Sequence, residues 1–151
     1  MSNDETFYRR RLVAFLRERH PHLVHADRLI ETRSQKAAEV FRRSKLAGQT
    51  TTKASAEADR VLYRGLIFSK FDTLRCILAT EFPDISETRQ RALAQEIGPY
   101  CAEVFGRYTL DDQLVERSEY NHLIVELIDA VRTYFDVNEN IRPVKGRPRK
   151  S

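Results

Sequence analysis

Apolar residues recur three and four positions apart along almost the whole chain, and no stretch alternates apolar and polar residues beside a hairpin turn. That pattern restricts the chain to helices that each bury one face. With only 5 Gly and 5 Pro in 151 residues, few positions can interrupt them. The spacing predicts an all-α fold of five or six helices.

The first helix carries Tyr8, Leu12, Phe15 and Leu16 on one side, and Asn3 or Asp4 can cap it. His20-Pro21 stops it, because proline disfavours helix at the residue before it. A second helix is predicted from about Ala26 to Ala47, with Ile30, Ala37 and Phe41 turned inward and Gly48 as its stop. One of Thr50, Thr51 and Thr52 caps the next. That third element, from about Lys53 to Glu81, has apolar residues on more than one face, from Ala54 and Ala58 through Leu66 and Phe68 to Ile77 and Leu78. It reads as a long central helix through the middle of the core, spanning roughly 43 Å if straight. Gly65 inside it is unfavourable unless another helix passes close. Phe82-Pro83 ends it, Asp84 and Glu87 resemble a capping box, and Gly98-Pro99 should kink or break the helix that follows. A last helix runs from about Asp112 to Asp136, with an irregular joint near Ser118. After Val137 the apolar content collapses. The expected organisation is a helical domain of residues 1–137 and a flexible basic tail of residues 138–151.

No window approaches the roughly 18 to 20 uninterrupted apolar residues of a membrane span. MSNDETFYRRR is charged where a signal peptide is apolar, so a cytoplasmic protein with no membrane contact is expected. The net charge of +4 conceals a division. Residues 1–60 carry 13 Lys and Arg against 8 Asp and Glu, residues 61–140 carry 8 against 14, and residues 141–151 carry 5 basic residues and no acidic one. Such asymmetry bears on partners: it suggests a polyanion, or a tail that lies on its own acidic body.

In the tail, Gly146 lets the backbone approach a surface closely and Pro148 holds Arg147 extended. Arg147 and Arg149 would then enter the narrow minor groove of A·T-rich DNA, whose concentrated negative potential attracts guanidinium groups. Arg142, Lys145 and Lys150 would contact phosphates. The peptide Lys145-Gly146-Arg147-Pro148-Arg149-Lys150 resembles an AT-hook, a short DNA-binding peptide with a Gly-Arg-Pro core flanked by basic residues. The resemblance implies that Arg147 and Arg149 insert in the groove. The bland alternative is a solvated tail that promotes solubility.

One hook would gain from a second contact, which tethering makes effective. A supporting basic face is expected from Arg9, Arg10 and Arg17 on the first helix and Lys36, Arg42 and Arg43 on the second, with Arg11, Arg19 and Arg33 adding to the same cations. Glu18, Glu31 and Glu39 interleave with them, so an ordinary solvated face is the competing reading.

No metal site, cofactor or catalytic set is expected. His20, His22 and His25 cluster without a cysteine or carboxylate at ligand spacing except Asp27, and read as a polar loop with His25 packed on the second helix. Asp111, Asp112, Glu116 and Glu119 are explained by the dipole at a helix start. Ser118, His122 and Asp129 share one helix, whereas catalytic triads join separate segments. Cys76 and Cys101 sit in apolar helical patterns and read as buried thiols.

The run Val61-Leu62-Tyr63-Arg64-Gly65-Leu66-Ile67-Phe68-Ser69, with Ile77-Leu78-Ala79-Thr80-Glu81-Phe82 and the later Val104-Phe105-Gly106-Arg107-Tyr108, is similar to a family of small helical proteins of unknown function. They come mainly from Bacteroidetes, often near conjugative or mobilisable elements, and the similarity extends from about residue 5 to residue 135. It implies an all-helical fold and a bacterial cytoplasm, and it assigns no activity. The functional expectation is a non-catalytic DNA-associating accessory protein; a homodimer would double the hook, and a protein partner is the other association open to it. The runner-up is a protein-interaction or assembly module with an incidental tail.

Overall fold

A computed structural model of the chain describes residues 3–138. These residues form helices α1 (Asn3–Arg19), α2 (Asp27–Leu46), α3 (Thr51–Leu62), α4 (Lys70–Glu81), α5 (Glu87–Ile97), α6 (Ala102–Phe105) and α7 (Glu119–Val137). Short 3-10 turns occupy Pro21–Leu23, Gly98–Cys101 and Leu114–Glu116, and no strand occurs among the described residues. The fold is all-α, with six helices of 11 residues or more. The tail expected over residues 138–151 lies outside the described residues except for Asn138.

Local chemistry sets the boundaries. The helix-stopping His20-Pro21 ends α1 at Arg19. Thr50 Oγ1 accepts the Lys53 backbone N–H at 3.1 Å and starts α3, Ser69 Oγ accepts that of Asp72 at 2.8 Å and starts α4, and Ser86 Oγ accepts that of Arg89 at 3.2 Å and starts α5. Ser86 therefore caps α5, where the capping-box reading placed Asp84. Gly98-Pro99 breaks the next helix as expected, turning α5 into a 3-10 segment before α6.

The expectation of one long helix over residues 53–81 is overturned. The segment divides into α3 and α4, and Gly65 between them adopts φ +77°. Glycine enters that left-handed region without the Cβ penalty other residues meet, so Gly65 turns the chain and is not a tolerated guest in a helix. The apolar residues that suggested a central helix divide with it. Ala58, Leu62 and Leu66 join one core, and Phe68, Phe71, Leu74, Ile77 and Leu78 join another.

The chain forms two compact units, Met1–Ile67 and Phe68–Ser151. In unit 1, Tyr8, Leu12 and Leu16 of α1 pack with Ile30, Ala37 and Ala38 of α2 and with Ala58 and Leu62 of α3. Ser44 Oγ donates to Glu57 Oε1 at 2.7 Å, tying α2 to α3, and Ser34 Oγ returns its hydrogen bond to the Ile30 carbonyl. Three contacts at one constant sequence offset, Arg11 with Asp59, Phe15 with Tyr63 and Arg19 with the Ile67 carbonyl, show that α1 and α3 run parallel. In unit 2, α4, α5 and α7 bury Leu74, Leu78, Leu93, Ile97, Leu123 and Leu127 around Phe105 and Phe135. Fully burying one such leucine contributes about 1.5–3 kcal/mol.

Candidate nucleic-acid interface

The hook residues Arg142, Lys145, Gly146, Arg147, Pro148, Arg149 and Lys150 lie outside the described residues. The supporting cations all fall in unit 1, where α1 and α2 place them. Tyr8 and Phe41 meet with ring centroids 6.4 Å apart and set the register of this helix pair. Arg9 and Arg42 each follow one of those rings by one residue. In antiparallel neighbours a one-residue step turns both side chains by about 100° to the same side of the pair. Arg9 and Arg42 thus flank one seam, while Arg10 and Arg17, seven residues apart, share the outer face of α1.

The structure separates these cations by what holds them. Lys36 and Arg43 both reach Glu39, at 3.9 Å and 2.8 Å, so that one carboxylate offsets part of their charge. Arg11 pairs with Asp59 at 3.1 Å and lies over the rings of Phe7 and Tyr63. Burial opposes its charge, yet Tyr63 and Asp59 outweigh that and raise its pKa above the ordinary guanidinium value. Tyr8 beside this pair is raised as well, by burial and then by the Asp59 carboxylate. Arg33 donates to the Leu62 carbonyl at 3.1 Å, closing a backbone group that the end of α3 leaves open, and Arg19 donates to the Ile67 carbonyl at 2.8 Å in the turn that follows. Arg9, Arg10 and Arg42 have no such partner among the described residues. Phosphates can reach these three without displacing an internal bond.

Other candidate groups have structural roles. His20 is buried, and its Nε2 donates to the Leu66 carbonyl at 2.7 Å, fixing the turn that contains Gly65. His22 and His25 are exposed, so His25 does not pack on α2 as the sequence suggested. No three His, Cys, Asp or Glu among the described residues are grouped to hold a metal. Asp111 and Glu119 are both claimed by Arg117, each at 2.9 Å, and its hydrogen bonds to them raise the guanidinium pKa. An ion-pair bridge, more than a helix dipole, accounts for those two carboxylates. Ser118, His122 and Asp129 are all exposed. Cys101 is buried, which pushes its thiol up to about 11, whereas Cys76 is exposed on α4 and not a core thiol.

Sequence reasoning missed Phe7. Phe7 is 52% exposed and lines an open groove on α1 with Asn3, Thr6, Arg10, Arg11 and Ala14. The groove measures about 580 Å3, within the size of ligand sites, but its walls come from one helix and leave it open to solvent. The available signal was that Phe7 falls off the stripe of Tyr8, Leu12 and Leu16.

Among the described residues no helix is long and apolar enough to cross a membrane. No curated protein matches the chain. The crystal structure of protein PG0816 from Porphyromonas gingivalis is similar, with 28% identity, a TM-score of 0.80, and coverage of 93% of this chain and 95% of that one. The family described as a domain of unknown function, DUF1896, matches residues 2–140, and the chain belongs to that family.

Proposed function

We propose that the protein is a non-catalytic DNA-associating accessory protein of the bacterial cytoplasm, acting beside a mobile element. Arg147 and Arg149 enter the minor groove of A·T-rich DNA, Arg142, Lys145 and Lys150 hold its phosphates, and Arg9, Arg10 and Arg42 add a second phosphate contact from unit 1. The observation that carries this reading is the charge of the two units. Unit 1 has 14 Lys and Arg against 8 Asp and Glu, whereas residues 68–138 of unit 2 have 7 against 13. The sequence's charge asymmetry thus follows the structural boundary, and Arg9, Arg10 and Arg42, which have no charged partner among the described residues, stand on the basic side of it.

Fluorescence anisotropy of A·T-rich and G·C-rich duplexes, titrated with the full chain and with Arg147→Ala/Arg149→Ala, tests the reading. Each groove arginine should be worth about 1–3 kcal/mol on A·T-rich DNA. Removing both should abolish the preference and leave a weaker, salt-sensitive binding through unit 1. Equal affinity of the two proteins for both duplexes would refute the hook. Absence of binding at low salt would leave a protein-interaction module as the better reading.

A further inference from the structure

We propose that the groove on α1 binds single-stranded nucleic acid, with a base stacked on Phe7 and adjoining phosphates held by Arg10 and Arg60. The core of unit 1 closes without Phe7, which stays half exposed while Tyr8 beside it is buried. The ring is nevertheless held in place. Tyr8 meets it edge-on at 5.0 Å with an interplanar angle of 81°, and the Arg11 guanidinium lies 5.5 Å from its centroid. Asp59 in turn fixes Arg11. An exposed aromatic ring of set orientation beside cations is the arrangement on which unpaired bases stack.

Arg10 lines the groove one turn from Phe7 and has no charged partner among the described residues. Arg60 is exposed too and has no partner among the described residues, and it follows Asp59, the residue that Arg11 grips. Because α1 and α3 run parallel, the step of about 100° beyond Asp59 turns Arg60 to the side of α1 that carries Phe7 and Ala14. Ala14 adds little bulk to the groove floor, leaving room for a flat base. A duplex keeps its base faces stacked on one another, so only an unpaired base can offer one to Phe7. The site shares with the minor-groove reading the nature of the partner and the Arg10 phosphate contact, and it does not use the tail.

The test uses the full chain and the Arg147→Ala/Arg149→Ala chain with labelled oligodeoxyuridylate, oligouridylate of equal length, and duplex. In both backgrounds Phe7→Ala should weaken binding of the single strands by about fivefold or more and leave duplex binding unchanged. The chain contains no tryptophan, so Phe7→Trp supplies a single reporter at the groove. Its emission should be quenched by the single strands and not by duplex, and its affinity should equal or exceed that of phenylalanine. Arg10→Gln should reduce the salt slope for single strands by about 0.7. Unequal binding of the two strands would identify the preferred sugar of the same site. Unchanged affinity in Phe7→Ala, or an unquenched Phe7→Trp, would overturn the site, and it would do so whether or not the tail variant loses its A·T preference.

Discussion

In unit 2, Asp72 holds Arg75, Glu126 holds Arg107, Glu81 holds Arg132, and Arg117 bridges Asp111 and Glu119. Lys70 and Arg91 lie over the rings of Phe105 and Phe71. In unit 1, by contrast, Arg9, Arg10, Arg42 and Arg60 have no charged partner among the described residues. The same residue types thus do different work. An arginine paired with a carboxylate organises its own surface and offers little to a polyanion, whereas one without a partner adds its full charge to the local potential. Net charge alone would attribute the difference to arginine count, but pairing decides which cations remain available.

The largest expected effect concerns the two cores on which those surfaces rest. Leu12 is fully buried in the core of unit 1 and Leu123 in that of unit 2. Leu12→Ala and Leu123→Ala should each destabilise the protein by about 2–5 kcal/mol, read by urea unfolding. Hydrogen exchange then shows whether the cores are distinct. Leu12→Ala should first loosen α1 to α3, and Leu123→Ala should first loosen α4, α5 and α7. Loss of protection spread evenly over both sets for either variant would break the division.

A smaller effect bears on the turn between α3 and α4, and its sign is decisive. Were residues 53–81 one helix, Gly65→Ala would stabilise it by up to about 1 kcal/mol. At φ +77° with no atom within 4 Å of an added Cβ, alanine meets no clash but must adopt a backbone conformation it disfavours. Gly65→Ala should therefore destabilise by about 1 kcal/mol, measured by thermal or urea unfolding.

Gly65 also shows what the sequence could and could not convey. Helix stops that depend on one or two residues, such as His20-Pro21 and Gly98-Pro99, were legible because proline acts locally. The break at Gly65 was not, since a glycine within an apolar helical pattern is compatible with either a turn or a close helix contact. Periodicity reports that a residue is buried, not which core buries it, so the apolar residues of α3 and α4 merged into one element. The cap Ser69 was present in the sequence, but the apolar residues around it obscured a helix start. Cys76 shows the same limit, since it sits beside Ile77 and Leu78 and yet faces outward. For the interface, sequence identified Arg9, Arg10 and Arg42 as candidates. Only three-dimensional placement separated them from Arg11, Arg19 and Arg33, whose guanidinium groups hold α3 and the turn after it.

The smallest effect tests the distinction between paired and unpaired arginines directly. Arg75 bonds Asp72 through Nε at 3.2 Å and Nη2 at 2.9 Å on the surface of α4. A pair of that kind stabilises by about 0.2–1 kcal/mol, so Arg75→Ala should lower stability by that amount in urea unfolding. It should leave the salt dependence of duplex binding unchanged, because Asp72 already balances the lost charge. Arg42→Ala removes a cation with no partner among the described residues and should change stability by no more than about 0.5 kcal/mol. Its effect should appear in the salt slope for duplex DNA, reduced by about 1. If both variants shifted the slope equally, long-range potential rather than pairing would govern binding, and counting charges per unit would suffice. If neither did, Arg42 would take no part in holding DNA, leaving that role to the tail and to Arg9 and Arg10.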